Sequence, residues 1–277
     1  MLFTAMAISD RRYKMKYGFI GCGNMGSALG NALSLTTKDI LFCDRDENKA
    51  KTLAQKLGCR HGSAKDAANC CEAVFLAIKP QTLDGALEEI KDILITNKPV
   101  IITMLAGVEI STLQAKLSDE IPIIRIMPNT PVRIGKGEIL YCRNSNVTDF
   151  ALSAFLGDMK FAGSFDFIDE ALMNVGCAVS GCGPAYMYMV ADAVAKGAEK
   201  LGIDYDLSLR LAARTMLGSA QMLLETGERA DKLKTDVCSP GGSTIEGVKV
   251  LENGEVYNLF ADAVEAAYKR NEELGKH

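Results

Sequence analysis

The chain has 277 residues, 48% of them apolar, enough for one large or two ordinary domains around a sizeable buried core. Its 31 basic and 35 acidic residues form no long run of one sign and tryptophan is absent, so nucleic acid and membrane are excluded as expected partners and a small metabolite is favoured. Nine cysteines, an odd count with no C-x-x-C pair, suggest neither a disulfide framework nor a zinc site; the expectation is reduced thiols, no metal and a cytoplasmic setting.

Residues 1–14 read as a disordered leader. Their basic residues follow the apolar stretch, the wrong order for a secretory signal, and Met15 offers an alternative first residue. From Tyr17 the pattern alternates: a strand running into glycines, a helix over 25–35, a strand over 39–44, a helix over 47–57, a strand stopped by Pro80, and a helix over 83–93. A strand over 100–107 follows, then a capping box at Ser111 and Gln114 opening a helix to about residue 117, a strand broken by Pro128 and Pro131, and strands near 138–142 and 160–168. This alternation predicts an α/β fold: a Rossmann-like, doubly wound, mostly parallel sheet over residues 15–168. Beyond it, helices over 170–174, 185–201, 207–226, 244–251 and 257–274 predict an all-helical domain over 169–277. Several are apolar around much of their circumference, which favours burial against a second copy.

Gly21-Cys22-Gly23-Asn24-Met25-Gly26 stands between the first strand and the first helix, the dinucleotide-binding position. Gly21 serves the tight turn, Gly23 lets the backbone approach a pyrophosphate, and Gly26 lets helix and sheet pack closely. Asp44, at the end of the second strand, suits the ribose 2′-hydroxyl of NADH. Arg45 beside it suits the 2′-phosphate of NADPH, and the sequence does not choose between them. A second glycine-rich loop, residues 237–246, runs into a helix start. There Ser243 and Glu246 have capping-box spacing, and Gly241 and Gly242 let backbone amides turn toward a carboxylate. His61, in an expected loop, and His277 are the only histidines, and neither is placed to act as a general acid. Their position mildly favours reduction of a C=N bond, in which no oxyanion develops.

These features together resemble the pyrroline-5-carboxylate reductase family over about residues 16–274. The likeness rests on FIGCGNMG, LAIKP, AGV, RIMPNTP, VSGCGPAY, GSAQMLLETG and VCSPGGSTIEGVKVLE. It implies a Rossmann-like domain followed by a helical domain that interlocks with a partner's, as a homodimer or a ring of dimers. It implies reduction of 1-pyrroline-5-carboxylate to L-proline, the last step of proline biosynthesis, with hydride from NADH or NADPH. Val237, Ser239, Gly241, Gly242, Ser243 and Thr244 would bind substrate, Thr244 meeting the ring nitrogen as the catalytic contact. Ala77, Lys79, Pro80, Ala106, Met127 and Asn129 match positions on the nicotinamide side of the cofactor site. Arg125 and Asn129 are expected to hold the Met-Pro-Asn-Thr-Pro turn.

Two features depart from that pattern. Cys43-Asp44-Arg45 replaces residues suited to NADPH in many members, and where the loop after the second helix often supplies an asparagine near the adenosine ribose this chain reads His61-Gly62-Ser63-Ala64, so Ser63 would have to substitute or the contact is absent. Three other readings are weighed. A β-hydroxyacid dehydrogenase is disfavoured, because Met187 and Ala191 occupy the positions of the lysine and asparagine that such enzymes carry. A non-catalytic nucleotide-binding dimer would bind dinucleotide without turnover. A reductase of the six-membered cyclic imine stays open, since one methylene changes binding by only about 1–3 kcal/mol.

Overall fold

The computed structural model describes residues 15–274, so the expected leader lies outside the described residues. Short apolar runs give the strands β1 (Tyr17–Ile20), β2 (Ile40–Cys43), β3 (Arg60–His61), β4 (Ala73–Leu76), β5 (Val100–Thr103), β6 (Ile123–Pro128), β7 (Gly137–Arg143) and β8 (Gly163–Phe167). They form one sheet in the order β3-β2-β1-β4-β5-β6-β7-β8. The first six run parallel; β7 is antiparallel to β6, and β8 follows β7 in parallel. The order reverses direction between β1 and β4, the topological switch at which sheets of this kind hold ligands beyond the carboxyl ends of the strands.

Buried on both faces, β1, β2, β4, β5 and β6 read as largely apolar runs whose side chains alternate between two cores. Phe19, Phe42, Phe75, Ile102 and Ile126 pack on one face with Leu29 and Leu33 of α1 (Asn24–Ser34), Ala50 and Ala54 of α2 (Glu47–Leu57), and Phe155. Phe19 and Phe75 stack with ring centroids 4.1 Å apart. Ile20, Leu76, Ile101 and Met127 face the other way. There they meet α3 (Ala64–Cys70), α4 (Leu83–Glu88), α5 (Lys91–Asn97) and α6 (Ile110–Lys116) through Ala67, Leu87, Leu94 and Leu113.

Local details correct several sequence expectations. The helix expected over 83–93 is two helices separated at Glu89 and Ile90. Ser111 is not a cap: α6 begins one residue before it, Glu109 holds the cap position without a side-chain bond, and the Ser111 hydroxyl reaches back toward the Glu109 carboxylate at 3.4 Å. His61 lies on the edge strand β3 instead of in a loop, paired with Phe42. Neither α3 nor α7 (Asp149–Asp158) was anticipated. After β8 come a 3₁₀ turn (Glu170–Leu172), α8 (Met173–Gly176) and a π-helical turn (Cys177–Gly181).

The chain divides into two compact units, one running through Gly181 and taking up the chain again at Asn271, the other Cys182–Arg270. The second unit is helical throughout: α9 (Gly183–Glu199), α10 (Tyr205–Thr226), α11 (Ala230–Asp236), α12 (Ser243–Asn253) and α13, which begins at Val256 and ends in the first unit at Leu274. Asp204 caps α10 by accepting from the Leu207 amide at 3.0 Å, as its position before the apolar run implies. No helix among the described residues is long and apolar enough to cross a membrane.

Candidate active site

The turn after β1 has the shape its glycines dictate. Gly21 has φ +105°, and a Cβ there would stand 2.3 Å from the Ala77 carbonyl oxygen, which ties the turn to the end of β4. A Cβ on Gly26 would lie 2.4 Å from the Gly21 carbonyl oxygen, so helix and turn touch backbone to backbone. At Gly23, by contrast, an added Cβ meets nothing within 4 Å. Gly23 is also the N-cap of α1, with no side-chain cap and no acidic residue in the first turn. With Gly23 and Asn24 exposed, the positive end of an eleven-residue helix is left open, an environment suited to a pyrophosphate. Burial and the neighbouring Asp44 carboxylate push the Cys22 thiol up to about 12, so no second negative charge develops in the turn.

Asp44 points into this site: one carboxylate oxygen accepts from the Cys22 amide at 2.7 Å and the other from the Asp46 amide at 3.0 Å. Arg45 is exposed. Ser63 is engaged elsewhere, as N-cap of α3 in a complete capping box. Its hydroxyl accepts from the Asp66 amide (3.1 Å), while the Asp66 carboxylate accepts from the Ser63 amide (2.9 Å) and from the Ser63 hydroxyl (2.8 Å), two bonds that hold the Asp66 carboxyl below its ordinary value. A ribose contact from Ser63 would cost that cap.

Beyond the switch point, Ala77 donates its amide to the Ile20 carbonyl, Lys79 is exposed, and Pro80 opens a 3₁₀ turn. Ala106 lies half-buried in the loop after β5, and Met127 is buried near the end of β6. Asn129 uses both ends of its amide within the protein: Oδ1 accepts from the Glu138 amide at 2.9 Å and Nδ2 donates to the Ser180 carbonyl at 3.0 Å. These two bonds fix the amide between β7 and the turn at Ser180, in keeping with a turn-holding role.

In the second unit, α11 leads through Val237 and Cys238 into Ser239-Pro240-Gly241-Gly242. The Gly242 amide donates to the Ser239 carbonyl at 2.9 Å and Gly241 has φ +71°, the geometry of a type II turn, for which proline then glycine are the favoured central pair. The capping box expected at Ser243 and Glu246 is absent. Gly242 is the N-cap without a side-chain bond, Ser243 is the first helical residue, and Glu246 pairs with Lys249 at 2.7 Å. The correction has a chemical consequence: the first amides of α12 are left uncapped, beside exposed Ser239, Ser243 and Thr244. A carboxylate is a suitable partner for them.

Two residues that sequence reasoning left unassigned also bear on the first unit. Glu170 bonds Arg125 across 45 positions, and Glu138 is set against Asp166 on the neighbouring strand. A lone acidic residue after a strand gives no signal of so distant a partner.

Residues 170–274 match the family model described as pyrroline-5-carboxylate reductase dimerisation, and residues 16–107 match one described as NADP oxidoreductase coenzyme F420-dependent. A pyrroline-5-carboxylate reductase of Methanosarcina acetivorans is 38% identical over 267 residues, 94% of this chain and 98% of that protein. Among solved structures, a pyrroline-5-carboxylate reductase from Coxiella burnetii aligns with a TM-score of 0.88 at 31% identity, covering 95% of this chain and 100% of that one. The Plasmodium falciparum pyrroline carboxylate reductase with NADP bound aligns with a TM-score of 0.85 at 29% identity, over 94% and 98%. Glycine turn, uncapped second loop and end-to-end similarity agree: the chain belongs to the pyrroline-5-carboxylate reductase family.

Proposed function

We propose that this chain reduces the C=N bond of 1-pyrroline-5-carboxylate to L-proline with NADH or NADPH, using the two glycine-rich segments for two different anions. The reduced nicotinamide supplies the hydride when bound. Gly21, Gly23 and Gly26 with the amides of Asn24 and Met25 hold its pyrophosphate, and Ala77, Lys79, Pro80, Ala106, Met127 and Asn129 lie along its nicotinamide side. The substrate carboxylate rests on the amides from Gly241 to Thr244, flanked by Val237, Ser239 and Ser243, and the Thr244 hydroxyl meets the ring nitrogen. The observation that carries this reading is the uncapped start of α12 beside exposed Thr244. Addition of hydride to a protonated imine discharges a cation, so these residues orient the substrate without having to stabilise an oxyanion.

The inward carboxylate of Asp44 favours NADH, because a 2′-phosphate would meet it with like charge, while exposed Arg45 faces solvent. The dimerisation region makes the chain a homo-oligomer. A homodimer or a ring of dimers in the cytoplasm, where free thiols persist, completes the proposal.

The test is coenzyme oxidation at 340 nm with pyrroline-5-carboxylate, a six-membered piperideine carboxylate and both coenzymes. Turnover on the five-membered imine, faster with NADH, is expected. Thr244→Ala is expected to lower kcat by roughly 100-fold with dinucleotide affinity unchanged. Parent-like kinetics in that variant remove Thr244 from the mechanism, and dinucleotide binding without turnover on either imine removes the reductase reading.

A further inference from the structure

Arg125 is the largest fully buried side chain, 2% exposed at the middle of β6. A buried guanidinium needs an anion, and the carboxylate it meets belongs to Glu170, with Nη1 donating to Oε1 at 2.9 Å. Its Nε and Nη2 make no hydrogen bond, so this one contact fixes the fork. The same Glu170 oxygen accepts from the Ile110 amide at 2.8 Å. Ile110 is the first residue of α6, and the cap residue Glu109 supplies no side-chain bond of its own. Glu170 thus satisfies from sixty positions away a donor that the local sequence leaves open.

The two contacts close on one loop. Residues 104–109 leave the carboxyl end of β5, where Thr103 pairs in register with Arg125, and they end at Ile110 on Glu170. Both ends of the loop are therefore held by Arg125, one through the strand ladder and the other through its ion pair. Between them Gly107 takes φ +74° and Ala106 is half-buried.

We propose that Arg125 and Glu170 are positioning residues that set the 104–109 loop at the carboxyl end of β5 and, through Ala106, the nicotinamide side of the dinucleotide site. The inference rests on the dinucleotide site proposed above. Glu170→Asp keeps the charge but withdraws the carboxylate by one methylene, whereas Glu170→Gln keeps an oxygen at full reach. If the loop is placed by this clamp, E170D lowers kcat by roughly 10- to 100-fold at a temperature where it is fully folded. E170D also speeds hydrogen exchange at the Ile110 amide, and E170Q, which keeps the accepting oxygen but not the charge that Arg125 meets, restores that protection without restoring kcat in full. Arg125→Lys, which keeps the charge but not the reach of Nη1 to Glu170, repeats the loss and provides a second reading if E170D does not fold. Parent-like kcat, dinucleotide affinity and Ile110 exchange in folded E170D or R125K overturn the proposal, even if Tm falls. Absence of turnover in the parent would count against the reductase reading alone, because dinucleotide titration and Ile110 exchange still decide the clamp.

Discussion

A methyl group at Gly26 would have to share space with the Gly21 carbonyl oxygen at 2.4 Å and the Ala77 Cβ at 3.0 Å, whereas one at Gly23 would meet no protein atom within 4 Å. The two glycines therefore serve different ends, and alanine separates them. Gly26→Ala is expected to destabilise the fold by about 1–3 kcal/mol through forced backbone movement, seen as a lower denaturant midpoint. Gly23→Ala is expected to leave that midpoint alone and weaken dinucleotide binding by at least about tenfold, since its methyl group occupies the approach of the pyrophosphate. Unchanged affinity in G23A, measured by fluorescence titration, would show that the pyrophosphate lies elsewhere. At this scale the sequence was readable: the G-x-G-x-x-G spacing and an acidic residue after β2 were visible as letters. The orientation of Asp44 was not, because it depends on the Cys22 amide across the strand ends.

Among the elements, β7 and β8 carry a pH-dependent contact. Glu138 sits at the start of β7 with Oε1 buried and unbonded, and burial followed by repulsion from Asp166 pushes its carboxyl up to about 7. The folded protein thus holds a proton that the unfolded chain releases near pH 4.5. Stability from this group is full below about pH 4.5 and is lost as pH rises to about 7, on the order of 1 kcal/mol once solvent screening of the partly exposed pair is allowed for. Glu138→Gln cannot ionise, so its stability relative to the parent is expected to be higher at pH 8 than at pH 5. Urea unfolding at both values checks this, and an equal difference at the two would dismiss the pair. Elements with long periodic patterns, such as α2 and α10, were legible from sequence. Short α3, α6 and α11 were missed or misplaced because a seven-residue helix carries too little periodicity, and the start of α6 is satisfied by Glu170 from far along the chain.

For the whole molecule, α10 carries much exposed apolar surface. Of its 22 residues only Ser208 and Ala212 are buried in a single copy, while Leu211, Leu217, Met222 and Leu224 are 48%, 64%, 52% and 85% exposed. Apolar surface of this extent along one helix calls for a cover, and since residues 170–274 match a dimerisation family, a second copy is the expected cover. Leu217→Glu would bury a charge in such an interface and is expected to shift the protein toward monomer at micromolar concentration in sedimentation velocity. An unchanged oligomer would move the interface off the face that Leu217 shares with Leu224.

By itself the sequence determined what depends on neighbours in the chain. The apolar runs became strands, the glycine spacing became a phosphate turn, and Pro240-Gly241 became a type II turn. Only the tertiary structure decided which groups meet across long separations, and hence the site's finer chemistry. Asp44 turns toward the Cys22 amide, Asn129 ties the Glu138 amide to the Ser180 carbonyl, and Glu170 joins Arg125 to Ile110. Backbone preference and hydrophobic pattern act over a few residues and are written locally. Hydrogen-bond satisfaction in a buried site acts between whichever groups the fold brings within about 3 Å, as Arg125, Glu170 and Ile110 show.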